Sequence, residues 1–144
     1  MKPAAVTVPA TAEFVRVAAK FVVETSRHLG IASAASPLFE VAVVEALANA
    51  VKHGSRGRSD AVVTCEVERA DDGLTIRVFD EGDGFEPPGW RSTPIDPASL
   101  ETSALPESGY GMSIIRSVFQ EIDGRREGDR FCLELRLAAE LPLP

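Results

Sequence analysis

The chain has 144 residues, of which 22 are acidic and 15 basic, for a net charge of −7. That length fits one domain, residues 1–144, with a sizeable core. The acidic balance argues against nucleic acid or an anionic membrane as a direct partner, and no apolar run approaches the ~20 residues of a membrane helix.

The N-terminus, Met1-Lys-Pro-Ala-Ala-Val-Thr-Val-Pro9, lacks an apolar core of signal-peptide length. Val6–Val8 reads as a short strand closed by Pro9. Residues 11–29 read as an amphipathic helix, with Phe14, Val17, Ala18, Phe21 and Val22 at helical spacing and Gly30 as its stop. Ser36 caps the next helix and Pro37 takes its first position. Gly54 ends it.

Ser55–Ser59 is a polar loop. Arg56 and Arg58, with Arg125 and Arg126 further on, are the candidates for a local basic patch. Residues 61–69 alternate as a strand, with Val63, Cys65 and Val67 on one face. Asp71-Asp72-Gly73 signals a hairpin turn, and 74–79 is the return strand.

From Asp80 to about Ser108 no regular pattern appears, and five prolines fall in that stretch. A loop of this length in a compact domain is functional or disordered. Its place between two glycine motifs favours a lid. A helix is expected from about Gly109 to Glu121, with Met112, Ile115 and Phe119 on its apolar side. Ile122–Glu127, a Gly128-Asp129 turn and Phe131–Leu137 form a last hairpin. Cys65 and Cys132 lack metal-site spacing and read as buried, reduced thiols of a cytoplasmic protein. Hairpins imply antiparallel pairing. The expected fold class is α+β: a two-layer sandwich of a mixed, mostly antiparallel sheet with helices on one face.

Three motifs carry chemistry. On the second helix, Glu45, Asn49 and Lys52 fall on one stripe, with His53 at its margin. Val41, Val44, Ala48 and Val51 fill the neighbouring stripe, which is expected to face the core. A carboxylate, a carboxamide and a cation suit magnesium and phosphate chemistry. After the strand comes Asp80-Glu-Gly82-Asp-Gly84, whose glycines permit close ligand approach. Asp80 can accept a hydrogen bond from an exocyclic amine. Ser108-Gly109-Tyr110-Gly111-Met112 opens a helix, where free N–H groups and the helix dipole favour phosphate. Each of the glycine motifs is weak alone. Neither a P-loop nor a dinucleotide fingerprint is present.

In this order the motifs resemble the three nucleotide-binding boxes of the GHKL ATPase superfamily, which has the Bergerat ATP-binding fold. The small size, the form of the first box, the segment Glu13-Phe-Val-Arg16-Val and Ser108–Met112 resemble bacterial anti-sigma factor serine/threonine kinases. The resemblance implies ATP and Mg²⁺ as cofactors. It implies Glu45 as general base toward a Ser or Thr hydroxyl, and Asn49 as magnesium ligand. It further implies Lys52 and His53 near phosphate, Asp80 with Gly82 and Gly84 at adenine, and Ser108, Gly109, Tyr110, Gly111 and Met112 around the phosphates. His53 is equally suited to orienting Asn49. Arg16 matches an arginine that contacts protein partners. Those partners would be a sigma factor and a STAS-domain anti-anti-sigma protein, and the assembly a homodimer. Residues 85–107 would form the lid, with Arg91 as their one cation. Family members often carry Gly-Thr before the last strand; this chain has Gly128-Asp129, at the rear of the implied adenine pocket.

Two other readings stay open. The chain is a sequestration module that binds nucleotide without turnover, or a detached catalytic domain of a histidine kinase. Phosphoryl transfer to a partner, and the acid lability of the product, separate the three.

Overall fold

The computed structural model describes residues 2–54, 58–82 and 111–138. The lid segment, and with it Gly84, Ser108, Gly109 and Tyr110, lies outside the described residues, as does Arg56. Strand β1 (Ala4–Pro9) leads into helix α1 (Ala12–His28), and a short 3-10 turn (Ala32–Ala35) joins it to helix α2 (Pro37–Gly54). The hairpin β2 (Val62–Ala70) and β3 (Gly73–Asp80) follows, then helix α3 (Gly111–Val118) and the hairpin β4 (Glu121–Glu127) and β5 (Arg130–Ala138).

The five strands form one sheet in the order β1-β2-β3-β5-β4, every neighbouring pair antiparallel. The expected α+β sandwich is therefore present, with its sheet wholly antiparallel among the described residues. Val63, Cys65 and Val67 of β2, Leu74, Ile76 and Val78 of β3, and Leu133, Leu135 and Leu137 of β5 alternate into the buried side. They meet Ala18 and Val22 of α1, Phe39, Val43 and Leu47 of α2, and Ile115 of α3 in one core.

Local chemistry explains the element ends. The Leu38 N–H donates to Ser36 Oγ at 3.2 Å, so Ser36 caps α2 as its position before Pro37 predicts. Gly30 takes φ 82, beyond the last turn of α1. Ala70 pairs with Gly73, which leaves Asp71 and Asp72 as the two turn residues and Gly73 as the first residue of the return strand.

Three expectations need correction. The core face of α2 is Phe39, Ala42, Val43, Ala46, Leu47 and Ala50. Val41 is 42% exposed, Ala48 is exposed, and Val44 and Val51 are half-buried. The helix is apolar over most of its circumference, so spacing alone does not choose the inner stripe. On α1, Val17 is 53% exposed and Val15, Ala19 and Val23 are buried in its place. The third helix ends at Val118, and Glu121 opens β4 instead of closing the helix. Phe119 stays in the core just past that end, with its ring 5.7 Å from that of Phe39.

Candidate active site

One flank of α2 borders both the end of β3 and the start of α3. Side chains one helical turn apart lie in line, so Glu45, Asn49 and His53, at i, i+4 and i+8, share this flank. All three are half-buried. Lys52 falls on the same stripe by helical spacing and is exposed.

At the β3 end the packing is close. A Cβ on Gly54 would lie 2.5 Å from Asp80 Cβ, which no real side chain tolerates. Gly54 is therefore more than a helix stop: its bare backbone lets α2 seat on the Asp80 side chain. Asp80 is 2% exposed. Its Oδ1 accepts from the Gly82 N–H at 2.8 Å. Burial pushes its carboxyl above the ordinary carboxylate range, opposed by the Gly82 N–H and by the positive fields of His53 and Arg126.

The turn that follows is tied on two sides. Glu81 accepts from the Val62 N–H at 2.7 Å and from Arg58 at 3.3 Å, which fixes it to the start of β2. Arg126 of β4 donates from Nη1 to the Gly82 carbonyl at 2.9 Å. The second residue of this turn is thereby held through both its N–H and its C=O.

At the α3 end, a Cβ on Gly111 would lie 2.7 Å from Glu45 Oε2. The carboxylate thus rests against the first residue of the helix, where backbone N–H groups are unpaired. Burial raises the proton affinity of Glu45 above that of an ordinary glutamate. Met112 is buried in the core, and its position anchors the first turn of α3. Glu45 and Asn49 offer a carboxylate and an amide oxygen, a hard donor set that suits Mg²⁺ sharing its shell with water and phosphate oxygens. A buried carboxylate beside a glycine-lined turn suits an amine-bearing base.

Among the sequence-predicted residues, the fold joins Glu45 with Gly111, and His53 with Asp80 and Gly82, along one helix flank. Arg16 is elsewhere, in the groove between α1 and α2 with Lys20, Glu24, Arg27, Glu40 and Val44. Gly128 takes φ 64 in the β4–β5 turn and Asp129 is exposed there. The residue beside Asp80 in the sheet is Phe131, and beyond it Arg126. In the sequence Arg126 stands only as a candidate for a local basic patch. The signal that could have found it is strand alternation, which puts Ile122, Gly124 and Arg126 on the helix side of β4.

Comparison with known proteins agrees with the fold. Residues 8–137 match the model of the histidine kinase-like ATPase domain. The chain is 32% identical over 84 residues to the anti-sigma F factor of Lysinibacillus sphaericus, covering 58% of this chain and 56% of that protein. It is 32% identical over 101 residues to the serine-protein kinase RsbW of Listeria innocua, covering 65% of this chain and 64% of that one. It thus spans about three fifths of the length of these relatives. The crystal structure of the RsbU and RsbW domains of Rv1364c from Mycobacterium tuberculosis superposes with a TM-score of 0.57 at 18% identity, covering 94% of this chain and 32% of that one, and supports the fold. With residues 8–137 matched, the chain belongs to the histidine kinase-like ATPase domain family.

Proposed function

We propose that the protein is an anti-sigma factor with ATP-dependent protein serine/threonine kinase activity, a single cytoplasmic domain over residues 1–144 that acts as a homodimer. It sequesters a sigma factor and phosphorylates a STAS-domain anti-anti-sigma protein. The observation that carries this reading is Glu45, a half-buried carboxylate of raised proton affinity set against the first residue of α3. A pure binding module has no use for a base at that point. The names of the relatives point the same way.

In this reading Glu45 accepts the proton of the substrate hydroxyl as the γ-phosphoryl leaves ATP, a contribution of about 10²–10⁴-fold. Its raised proton affinity makes it a better acceptor near neutral pH. Asn49 holds Mg²⁺ through its amide oxygen, and the ion would supply charge neutralisation at the phosphate oxygens. Lys52 and His53 add positive charge or orientation there. Gly111 and Met112 present backbone N–H groups to phosphate, together with Ser108, Gly109 and Tyr110. Asp80 accepts from the adenine amine, with Gly82 and Gly84 giving the base room. Arg16, in its separate groove, contacts the protein partners. Among the described residues no helix is long and apolar enough to cross a membrane.

The test is transfer of label from radioactive ATP to a co-purified small partner. Wild type should label the partner on serine or threonine. Glu45→Gln should bind ATP normally and lose transfer by about 10²–10⁴-fold. Asn49→Ala should lose the magnesium dependence of binding. Binding without transfer by wild type would leave a sequestration module. An acid-labile product would point to histidine as acceptor.

A further inference from the structure

Arg126 lies in a place that ordinary strand patterning reserves for apolar residues. It is on the helix side of the edge strand β4, in register with Phe131, which is itself in register with Asp80. The three side chains therefore form one row across three strands, on one face of the sheet. Gly124, two residues earlier on that face, leaves space that the Phe131 ring fills: a Cβ there would lie 2.8 Å from Phe131 Cζ. Arg126 stays exposed, yet its Nη1 reaches across to the Gly82 carbonyl at 2.9 Å. A guanidinium is a planar, permanently charged donor with no acceptor capacity. Here it fixes a carbonyl and holds a positive field beside a buried carboxylate.

The geometry points to Arg126 as the positioning residue that sets base selectivity in the nucleotide site, favouring 6-amino over 6-oxo purines. This rests on the proposed nucleotide reading and adds a determinant to it. Asp80 accepts the Gly82 N–H on Oδ1, and an ionised carboxylate has further acceptor capacity for a base. As a carboxylate, Asp80 can only accept, so it pairs with an amine and opposes an oxo group. As a neutral acid it can donate to an oxo group, and the discrimination weakens. Burial drives Asp80 toward the neutral acid, while Arg126, His53 and the Gly82 N–H hold it ionised. His53 comes from α2, whereas Arg126 is a permanently charged guanidinium bonded to the turn itself. Arg126 thus favours the acceptor state of Asp80. By pinning the Gly82 carbonyl it also keeps the turn in the shape that presents Asp80.

The experiment measures binding of ATP and of inosine triphosphate, which carries the 6-oxo group, to wild type, Arg126→Met and Arg126→Lys. Thermal denaturation of each variant runs alongside. Wild type should prefer ATP. Arg126→Met should lose about tenfold in that preference through weaker ATP binding, with its melting temperature within a few degrees of wild type. Arg126→Lys, which keeps a cationic donor, should restore most of the preference. Unchanged affinity and preference in Arg126→Met would overturn the role of Arg126 and leave the nucleotide reading standing. An equal loss for both nucleotides with no rescue by lysine would also overturn it, as the mark of a purely structural residue. Failure of wild type to bind either nucleotide would overturn both.

Discussion

Asp80 keeps its carboxylate 2% exposed at the end of β3, under Gly54 of α2 and beside Phe131 of β5. Its ordinary value is 3.8, and burial raises it in the fold. The folded state therefore binds this proton more tightly than the unfolded chain does. The associated stability is complete below pH 3.8 and is lost as pH rises through the raised value. At pH 7 the fold retains a buried charge that a neutral isostere would spare. Asp80→Asn should stabilise the chain by about 1 kcal/mol at pH 7, a gain that shrinks toward pH 4, while ATP affinity falls about tenfold. Urea denaturation at the two pH values checks this, and a less stable variant at pH 7 would count against it. Asp80 was legible in the sequence as an acceptor at a strand end. Its contact with Gly54 was not, because the two are 26 positions apart and meet only when α2 crosses the sheet.

Helix α2 does two jobs on adjacent faces. Its buried stripe packs on the sheet, and its flank carries Glu45, Asn49 and His53. Because α1 and α3 both pack against it, apolar residues are useful on both sides of that stripe. The result is a nearly all-apolar helix whose orientation periodicity does not settle, and whose expected core stripe was displaced. The corrected face has a direct test. Leu47, 1% exposed, should cost about 2–5 kcal/mol as Leu47→Ala. Val41, 42% exposed, should shift stability by no more than about 0.5 kcal/mol as Val41→Ser. Denaturant midpoints in which Val41→Ser is the worse of the two would restore the original stripe.

On the face of the sheet away from the helices, a cluster of charges crosses the strands. Register places Glu66, Arg77, Glu134 and Asp123 side by side on β2, β3, β5 and β4. Glu134 accepts from Arg77 at 3.0 Å, Arg125 at 3.1 Å and Arg136 at 3.1 Å, and its side chain is 10% exposed. Arg77 also lies 3.6 Å from both Glu66 and Glu68. Despite its burial, Glu134 is held below the ordinary value of 4.5, by Arg125 and Arg77 above all. A depressed carboxyl has the opposite sign to Asp80: its stability is present above pH 4.5 and is lost as pH falls through the lowered value. Glu134→Gln should cost about 1–2 kcal/mol at pH 7 and flatten the acid limb of the stability profile. Thermal melts from pH 7 to pH 3 check this, and an unchanged acid limb would sink it.

The sequence by itself determined the elements, the antiparallel hairpins and the order of the motifs. Each is a local property: alternation for β2 and β5, a Ser36-Pro37 cap for α2, and glycines where the chain turns. It also marked Glu45, Asn49 and Asp80 by chemistry that packing does not require. Only the tertiary structure decided which face of α2 is inside, that Gly54 is a seat for Asp80, and that Gly111 meets Glu45. It alone brought Arg126, 44 positions away, onto the Gly82 carbonyl. The reason is that strand order β1-β2-β3-β5-β4 sets β4 two strands from β3. A reading of the sequence leaves Arg126 a candidate for a local basic patch, and the sheet turns it toward the Asp80 carboxylate.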